Sequence, residues 1–444
     1  MSNGRKYIDL NLELRDLDAQ TDTFKVAVLP SEAGETQQAV TVAFRHAEMA
    51  DTLDDLERKR IDDADLIGLG EHLATRLLPQ GPVRDLFVRA INIAGQDAGV
   101  RLRMVIREPH LAQLPWEFAY LQMHAGERDR RHFLALNPQV SLVRHEALMM
   151  RHRPLTGATP ERLRLVAAMA DVEGYPRLNL ARERQVIEEA LRDWGVAGVT
   201  IAWEPFIEDA TYDALMVALR KGCDLFHFAG HGVFEQNAID PQTGAPIGAG
   251  SIVLEKDKET KEPHLLAAGE LALLLQNARV RVAVFGACES GRRDGLSAWT
   301  GVAPAIVERG VPAVVAMQYE VLDDHAVAFN RMFYASLAAG LSVDEAVSAG
   351  RLAMLGASAE NNVEWGVPVL YMRSPDGIIF PELAARKSET AAQIRRVVQQ
   401  TIDVIEQGGE VVGIVAKRAK GSFEVVQKAK SVKGKMVGVE LDEL

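Results

Sequence analysis

Two cysteines in 444 residues, Cys223 and Cys288, are too few for a disulfide-stapled secreted scaffold and suit a reducing cytoplasm. The chain has no run of ~20 apolar residues and no basic-then-apolar leader, so neither a membrane span nor secretion is expected. Positive charge is not in excess either. A formal net charge of −12 argues against nonspecific binding of nucleic acid or membrane by the chain as a whole. What remains is an ordinary apolar content, 48%, and length for two or three domains of ~150 residues each.

The first stretch reads as strands: "KYIDLNLELR" (6–15), "FKVAVLP" (24–30) and "AVTVAF" (39–44) alternate apolar and polar residues. Residues 51–99 are mostly helical, "VRLRMVIRE" (100–108) is a strand, and "HLAQLPWEFAYLQ" (110–122) a turn with a short helix. From 162 the rhythm becomes strand then helix, with strands at 162–169, 224–231, 280–288, 311–318 and 366–372. Helices fall at 181–195, 212–222, 299–310, 325–340 and 342–355. This order predicts an α/β fold with a mainly parallel sheet and helices on both faces. It follows a strand-rich N-terminal region and precedes a small C-terminal piece of one helix (387–409) and short strands. In that piece "GEVVGI" (409–414) recurs faintly as "GKMVGV" (434–439). Three segments are expected: 1–154, a core at 155–380, and an accessory domain at 387–444.

Chemistry concentrates at two strand ends. "DLFHFAGHG" (224–232) brings His231 between Gly230 and Gly232, and "VRVAVFGAC" (280–288) runs straight into Cys288. Parallel strands bring their carboxyl ends, where open α/β sheets hold ligands, to one edge. A cysteine nucleophile needs a thiolate, which a nearby imidazole supplies, and a glycine amide is a natural oxyanion donor. The plainer reading is a small buried cysteine and a packed histidine. A zinc site from Cys223, His227 and His231 fails on spacing, because residues four apart in a strand lie ~13 Å apart. No cofactor is expected.

"HFAGHG" and "FGACESG" resemble the histidine and cysteine motifs of the CHAT domain, a caspase-like cysteine peptidase family related to separase, legumain and gingipains. The resemblance runs over roughly 5–375 and includes "RLRMVIREPHLAQLPWEFAYL", "HFLALNPQVSLVRH" and "EWGVPVLYM". It implies His231 as base or imidazolium partner and Cys288 as the nucleophile that forms an acyl-enzyme. The amides of Gly232 and Cys288 would make the oxyanion hole. It further implies a cytoplasmic endopeptidase acting on a partner protein within a prokaryotic conflict or regulated-proteolysis system, switched on by another component. The alternative is a non-catalytic interaction platform on the same fold.

Basic-specific relatives such as metacaspases carry an acid two residues before the cysteine, where this chain has Gly286. Candidate pocket residues are then Asp171, Glu173, Glu289, Asp294 and Glu320, with a solvated loop charge as the plain alternative for each. Unless one of Glu173, Glu289, Asp294 or Glu320 turns inward, the pocket is expected to prefer an uncharged residue. Trp116 is expected to pack the N-terminal region against the sheet, and Glu117 is not expected to be catalytic. His227 and Cys223 are read as strand residues, one facing a helix layer and the other inert. The tail cations Lys417, Arg418, Lys420, Lys428, Lys430, Lys433 and Lys435 read as a solvated face, with contact to an acidic partner or nucleic acid as the lesser alternative.

Overall fold

The computed structural model describes residues 5–106, 108–123, 128–144, 162–175, 177–196, 200–203, 206–235, 249–286, 299–319, 321, 323–357, 363–383, 414–419 and 422–427. The chain opens with β1 (Lys6–Asp18), β2 (Thr23–Val28) and β3 (Val40–Ala43), an antiparallel meander. Leu10, Leu12 and Leu14 of β1 are buried on one face, as strict alternation requires. Helices α1 (Ala50–Glu57), α2 (Asp63–Leu77) and α3 (Pro82–Ala94) follow. The Asp62 carboxylate accepts from the Asp65 N–H to cap α2, and α3 starts on a proline, which has no N–H to lose there. Next come β4 (Ala98–Ile106), the short α4 (Pro109–Ala112) and β5 (Val140–Arg144).

The second half alternates: β6 (Arg162–Met169), α5 (Leu180–Val196), β7 (Thr200–Trp203), α6 (Tyr212–Leu219) and β8 (Leu225–Ala229). A side excursion then forms β9 (His231–Glu235), β10 (Ala249–Glu255) and β11 (Pro263–Ala267), an antiparallel three-stranded sheet in the order β11-β10-β9. The main sheet resumes with α7 (Ala268–Asn277), β12 (Val282–Phe285), α8 (Trp299–Glu308), β13 (Ala313–Met317) and α9 (Asp323–Ala338). It ends with α10 (Val343–Gly356), started by a Ser342/Glu345 capping box, and β14 (Pro368–Met372). A separate hairpin pairs β15 (Ile414–Ala419) with β16 (Ser422–Gln427). The expected helix at 387–409 and the second repeat copy at 434–439 lie outside the described residues, as do Lys420, Lys428, Lys430, Lys433 and Lys435.

Among the described residues the main sheet has eleven strands in the order β3-β2-β1-β4-β5-β14-β13-β12-β8-β6-β7. The fold is mixed α/β with a large, mainly parallel sheet, and its N-terminal strands continue that sheet. Antiparallel pairing is confined to β1–β2, β2–β3 and β13–β14. Alternation along the central strands sorts side chains onto two faces. Leu225, Val282, Val284, Val315 and Met317 pack with Ile187 of α5, Phe329 and Phe333 of α9, and Ala346 of α10. Phe226, Phe228, Ala283, Phe285 and Val314 pack instead with Leu215 of α6, Leu271 of α7 and Ile306 of α8. Trp116, fully buried, belongs to the first of these cores together with N-terminal residues such as Leu102 and Phe133.

Candidate active site

The strand order reverses at β6. From β6 the chain passes through α5 to β7 on one side, then through α6 to β8 on the other. The chain leaving the carboxyl end of β6 leads to α5, and the chain leaving that of β8 leads through β9–β11 to α7 on the opposite face, so the two connections part at the carboxyl ends of β6 and β8, where open α/β sheets form a crevice. Ile187 of α5 belongs to one core and Leu215 of α6 to the other, as that topology demands.

His231 stands at this crevice. It does not end β8, as a single strand through "DLFHFAGHG" would have it. Strand β8 stops at Ala229, and His231 is the first residue of β9, paired with Val253 of β10. Gly230 makes the break possible: a Cβ there would lie 2.4 Å from the Phe228 ring, so only hydrogen fits. His231 and Gly232 are buried, and the His231 ring stacks on Tyr175 with centroids 5.0 Å apart and planes at 28°. Tyr175 comes from the loop after β6. That loop is tied to the small sheet: the Asp171 N–H donates to Glu255 Oε1 (3.0 Å) and the Glu173 N–H to the Lys261 carbonyl (2.9 Å). Glu255 is fully buried, and burial pushes its carboxyl above the usual range, against a downward pull from the Asp171 N–H and from Lys261 (3.6 Å).

Of the sequence-predicted pocket residues, Asp171 is half-buried, its Oδ2 3.7 Å from the Arg177 guanidinium, and Glu173 is exposed. Cys288, Glu289, Asp294 and Glu320 lie outside the described residues. Two strands nonetheless define where the cysteine segment departs. Strands β8 and β12 are parallel neighbours with Leu225 opposite Val282 and Phe228 opposite Phe285. The ladder runs one residue further, the Gly286 N–H donating to the Phe228 carbonyl (3.0 Å).

Beneath Gly286, on the α5/α9 face, lies a polar cluster that the sequence did not disclose. His227 is fully buried; its Nδ1 is 2.9 Å from the Tyr334 hydroxyl, and its Nε2 is 3.0 Å from Glu183 Oε1, off the line of a hydrogen bond. Asn330 Nδ2 donates to the same Glu183 oxygen (2.7 Å). Burial holds the Tyr334 hydroxyl well above its ordinary value, so it keeps its proton and can donate to Nδ1. Strand alternation was enough to put His227 on the helix face. That α5 and α9 would meet it with Glu183, Asn330 and Tyr334 was beyond periodicity.

Cys223 is a different kind of thiol. It packs in the core on the other face, bonds the Leu225 carbonyl (2.9 Å), and burial pushes it up to about 12, which makes it a poor nucleophile. Glu117 is fully buried in an ion pair with Arg144 (2.8 Å), and Gln318 Nε2 donates to it (3.2 Å). A surface pocket of about 480 Å³ bordered by Arg45, Glu71, His72 and Arg76 lies at β3 and α2, apart from this crevice.

Residues 68–373 match the family model of the CHAT domain. The chain belongs to the CHAT domain family. CHAT is a caspase-like domain, and the match takes in β6 through β14 with their helices. Among solved structures the chain is similar to the Arg specific cysteine proteinase gingipain R, at 13% identity over 75% of each chain with a TM-score of 0.39. It is also similar to the Saccharomyces cerevisiae separase–securin complex, at 11% identity over 82% of this chain and 30% of that chain with a TM-score of 0.44. No curated protein matches the CHAT chain in sequence.

Proposed function

We propose that this CHAT protein is a cysteine endopeptidase that hydrolyses a peptide bond in a specific partner protein, with Cys288 as nucleophile and His231 as its base. The observation that carries the reading is the register of β8 on β12. Phe228 pairs with Phe285, and His231 and Cys288 each follow that pair by three residues along their own chains. In the reaction, His231 takes the thiol proton and the thiolate adds to the scissile carbonyl. The N–H groups of Gly232 and Cys288 hold the oxyanion. Collapse breaks the C–N bond as the imidazolium protonates the leaving amine. Water, deprotonated by His231, then hydrolyses the thioester and restores the thiol. Burial and stacking on Tyr175 support this role by limiting the orientations open to the His231 ring.

Following the family resemblance, the setting is a cytoplasmic prokaryotic defence or regulated-proteolysis system, with a second protein that switches the enzyme on. Residues 387–444 are an accessory module. Trapping with an electrophilic peptide, with and without proteins that co-purify with Cys288→Ala, tests the reading. An adduct on Cys288 by mass spectrometry, absent in His231→Ala, supports it. No adduct under either condition favours the non-catalytic platform.

A further inference from the structure

Gly286 puts only hydrogen on the α5/α9 side of the end of β12, and an acid from elsewhere in the fold lies against that spot. A Cβ at 286 would sit 3.4 Å from His227 Nε2 and 3.5 Å from Glu183 Oε1, ordinary contact distances. The Glu183 carboxylate therefore lies beside the last described residue of the segment that leads into Cys288, on the α5/α9 face. Its position is held from three sides. Residue 183 is in the first turn of α5, Asn330 Nδ2 donates to Oε1, and His227, itself held by Tyr334, flanks the same oxygen. Glu183 Oε2 has no partner among the described residues, and the side chain keeps 12% of its surface exposed where His227 has none. The cluster of Glu183, His227, Asn330 and Tyr334 therefore satisfies one carboxylate oxygen internally and leaves the other unpartnered among the described residues.

We propose that Glu183 is the specificity-determining acid of this protease site and selects a substrate with lysine or arginine before the scissile bond. The proposal rests on the peptidase reading above. The expectation of an uncharged preference assumed no acid beneath position 286. Glu183 supplies one from α5 instead of from the cysteine strand, and Gly286 adds no side chain against it. A cationic side chain entering there meets a pre-oriented carboxylate, and a site built to pair a charge rejects residues that cannot do so.

Acyloxymethyl ketone probes ending in arginine, lysine, leucine or aspartate test this on the full-length protein, with and without the proteins that co-purify with Cys288→Ala, and adducts are mapped by mass spectrometry. Wild type is expected to react on Cys288 at least ~10-fold faster with the basic probes than with leucine. Glu183→Gln, which keeps the Asn330 hydrogen bond, should lower that ratio ~10-fold, and Gly286→Ala, which sets a methyl against the intact Glu183, should lower it too. A purely structural role for Glu183 would slow all probes alike. Thermal unfolding of each variant separates misfolding from lost selectivity, and Gly286→Ala remains informative if Glu183→Gln fails to fold. Cys288 labelling without basic preference, or a ratio unmoved in both variants, overturns the assignment of Glu183 and leaves the peptidase standing. Absence of any Cys288 adduct overturns both.

Discussion

Arg101 and Asp344 form the most completely enclosed charge pair between the first and last parts of the chain. Arg101 Nε and Nη2 donate to Asp344 Oδ1 and Oδ2 at 2.8 and 2.9 Å, with side-chain exposures of 2% and 0%. The guanidinium also reaches Asp9 (3.1 Å) and the carbonyls of Pro375 (2.7 Å) and Asp376 (3.1 Å), while the Ser141 hydroxyl donates to Asp344 (2.6 Å). One arginine thus ties β1 and β4 to α10 and the segment after β14. Arg101→Met keeps the length and removes the charge, leaving Asp344 buried with one hydroxyl donor in place of a bidentate cation. Stranding a buried charge costs about 3–5 kcal/mol, a large share of the ~5–15 kcal/mol that holds a typical protein folded. Asp344→Asn alone should cost less, because Asp9 and two carbonyls still surround Arg101. The double variant should cost at least ~1 kcal/mol less than the sum of the two, since neither charge is then left alone. Urea unfolding followed by fluorescence of Trp116 and Trp365, both fully buried, measures all three. A loss below ~1 kcal/mol for Arg101→Met, or strict additivity, would refute the reasoning.

Cys223→Ala should keep at least half of wild-type labelling, whereas Cys288→Ala and His231→Ala abolish it without loss of fold; a dead Cys223→Ala enzyme would sink the assignment. Tyr175→Ala should slow Cys288 labelling about 2- to 13-fold, the equivalent of an aromatic stack worth ~0.5–1.5 kcal/mol, while Tyr175→Phe stays near wild type; equal rates in all three would remove Tyr175 from the site. Burial raises the Glu255 carboxyl, so the fold favours its protonated form, and the stability this gives is present at low pH and lost as pH climbs through the raised value. Melting temperatures between pH 4 and 8 should therefore show Glu255→Gln gaining on wild type as pH rises; a constant difference would contradict this. Deleting 384–444 should leave a cooperatively folding protein by calorimetry, and a chain that does not fold would place the tail in the core.

Much of the fold was written in short-range pattern. Strict alternation in "KYIDLNLELR" and unbroken apolar runs such as "VAVF" and "AVVAM" mark strands, because one- or two-faced burial repeats every second residue. Helix starts were equally local, since the Ser342/Glu345 box closes within a single turn. The His231 and Cys288 motifs could be singled out for the same reason: a reactive residue type between glycines after an apolar strand is a local arrangement. Local pattern also misled at one point. "DLFHFAGHG" carries no mark of the break after Ala229, which follows from the Phe228 ring occupying the space above Gly230 and from pairing with β10, a partner later in the chain.

What only the tertiary structure decided is which groups meet. Strand order is set by pairings between distant segments, so the reversal at β6 and the crevice it opens are properties of the assembled sheet. Tyr175 against His231, Glu255 under the Asp171 loop, and Glu183 beside Gly286 each join residues from different elements. A carboxylate on a helix reads as a solvated charge from sequence, because periodicity tells which face of the helix it occupies and not what that face will touch. Once α5 and α9 pack on the strand face that holds His227, desolvation favours polar groups that find partners there, as His227 Nδ1 does in the Tyr334 hydroxyl and Asn330 Nδ2 in Glu183. Glu183, Asn330 and Tyr334 come from two helices to meet one strand histidine, a meeting only the packed fold decides.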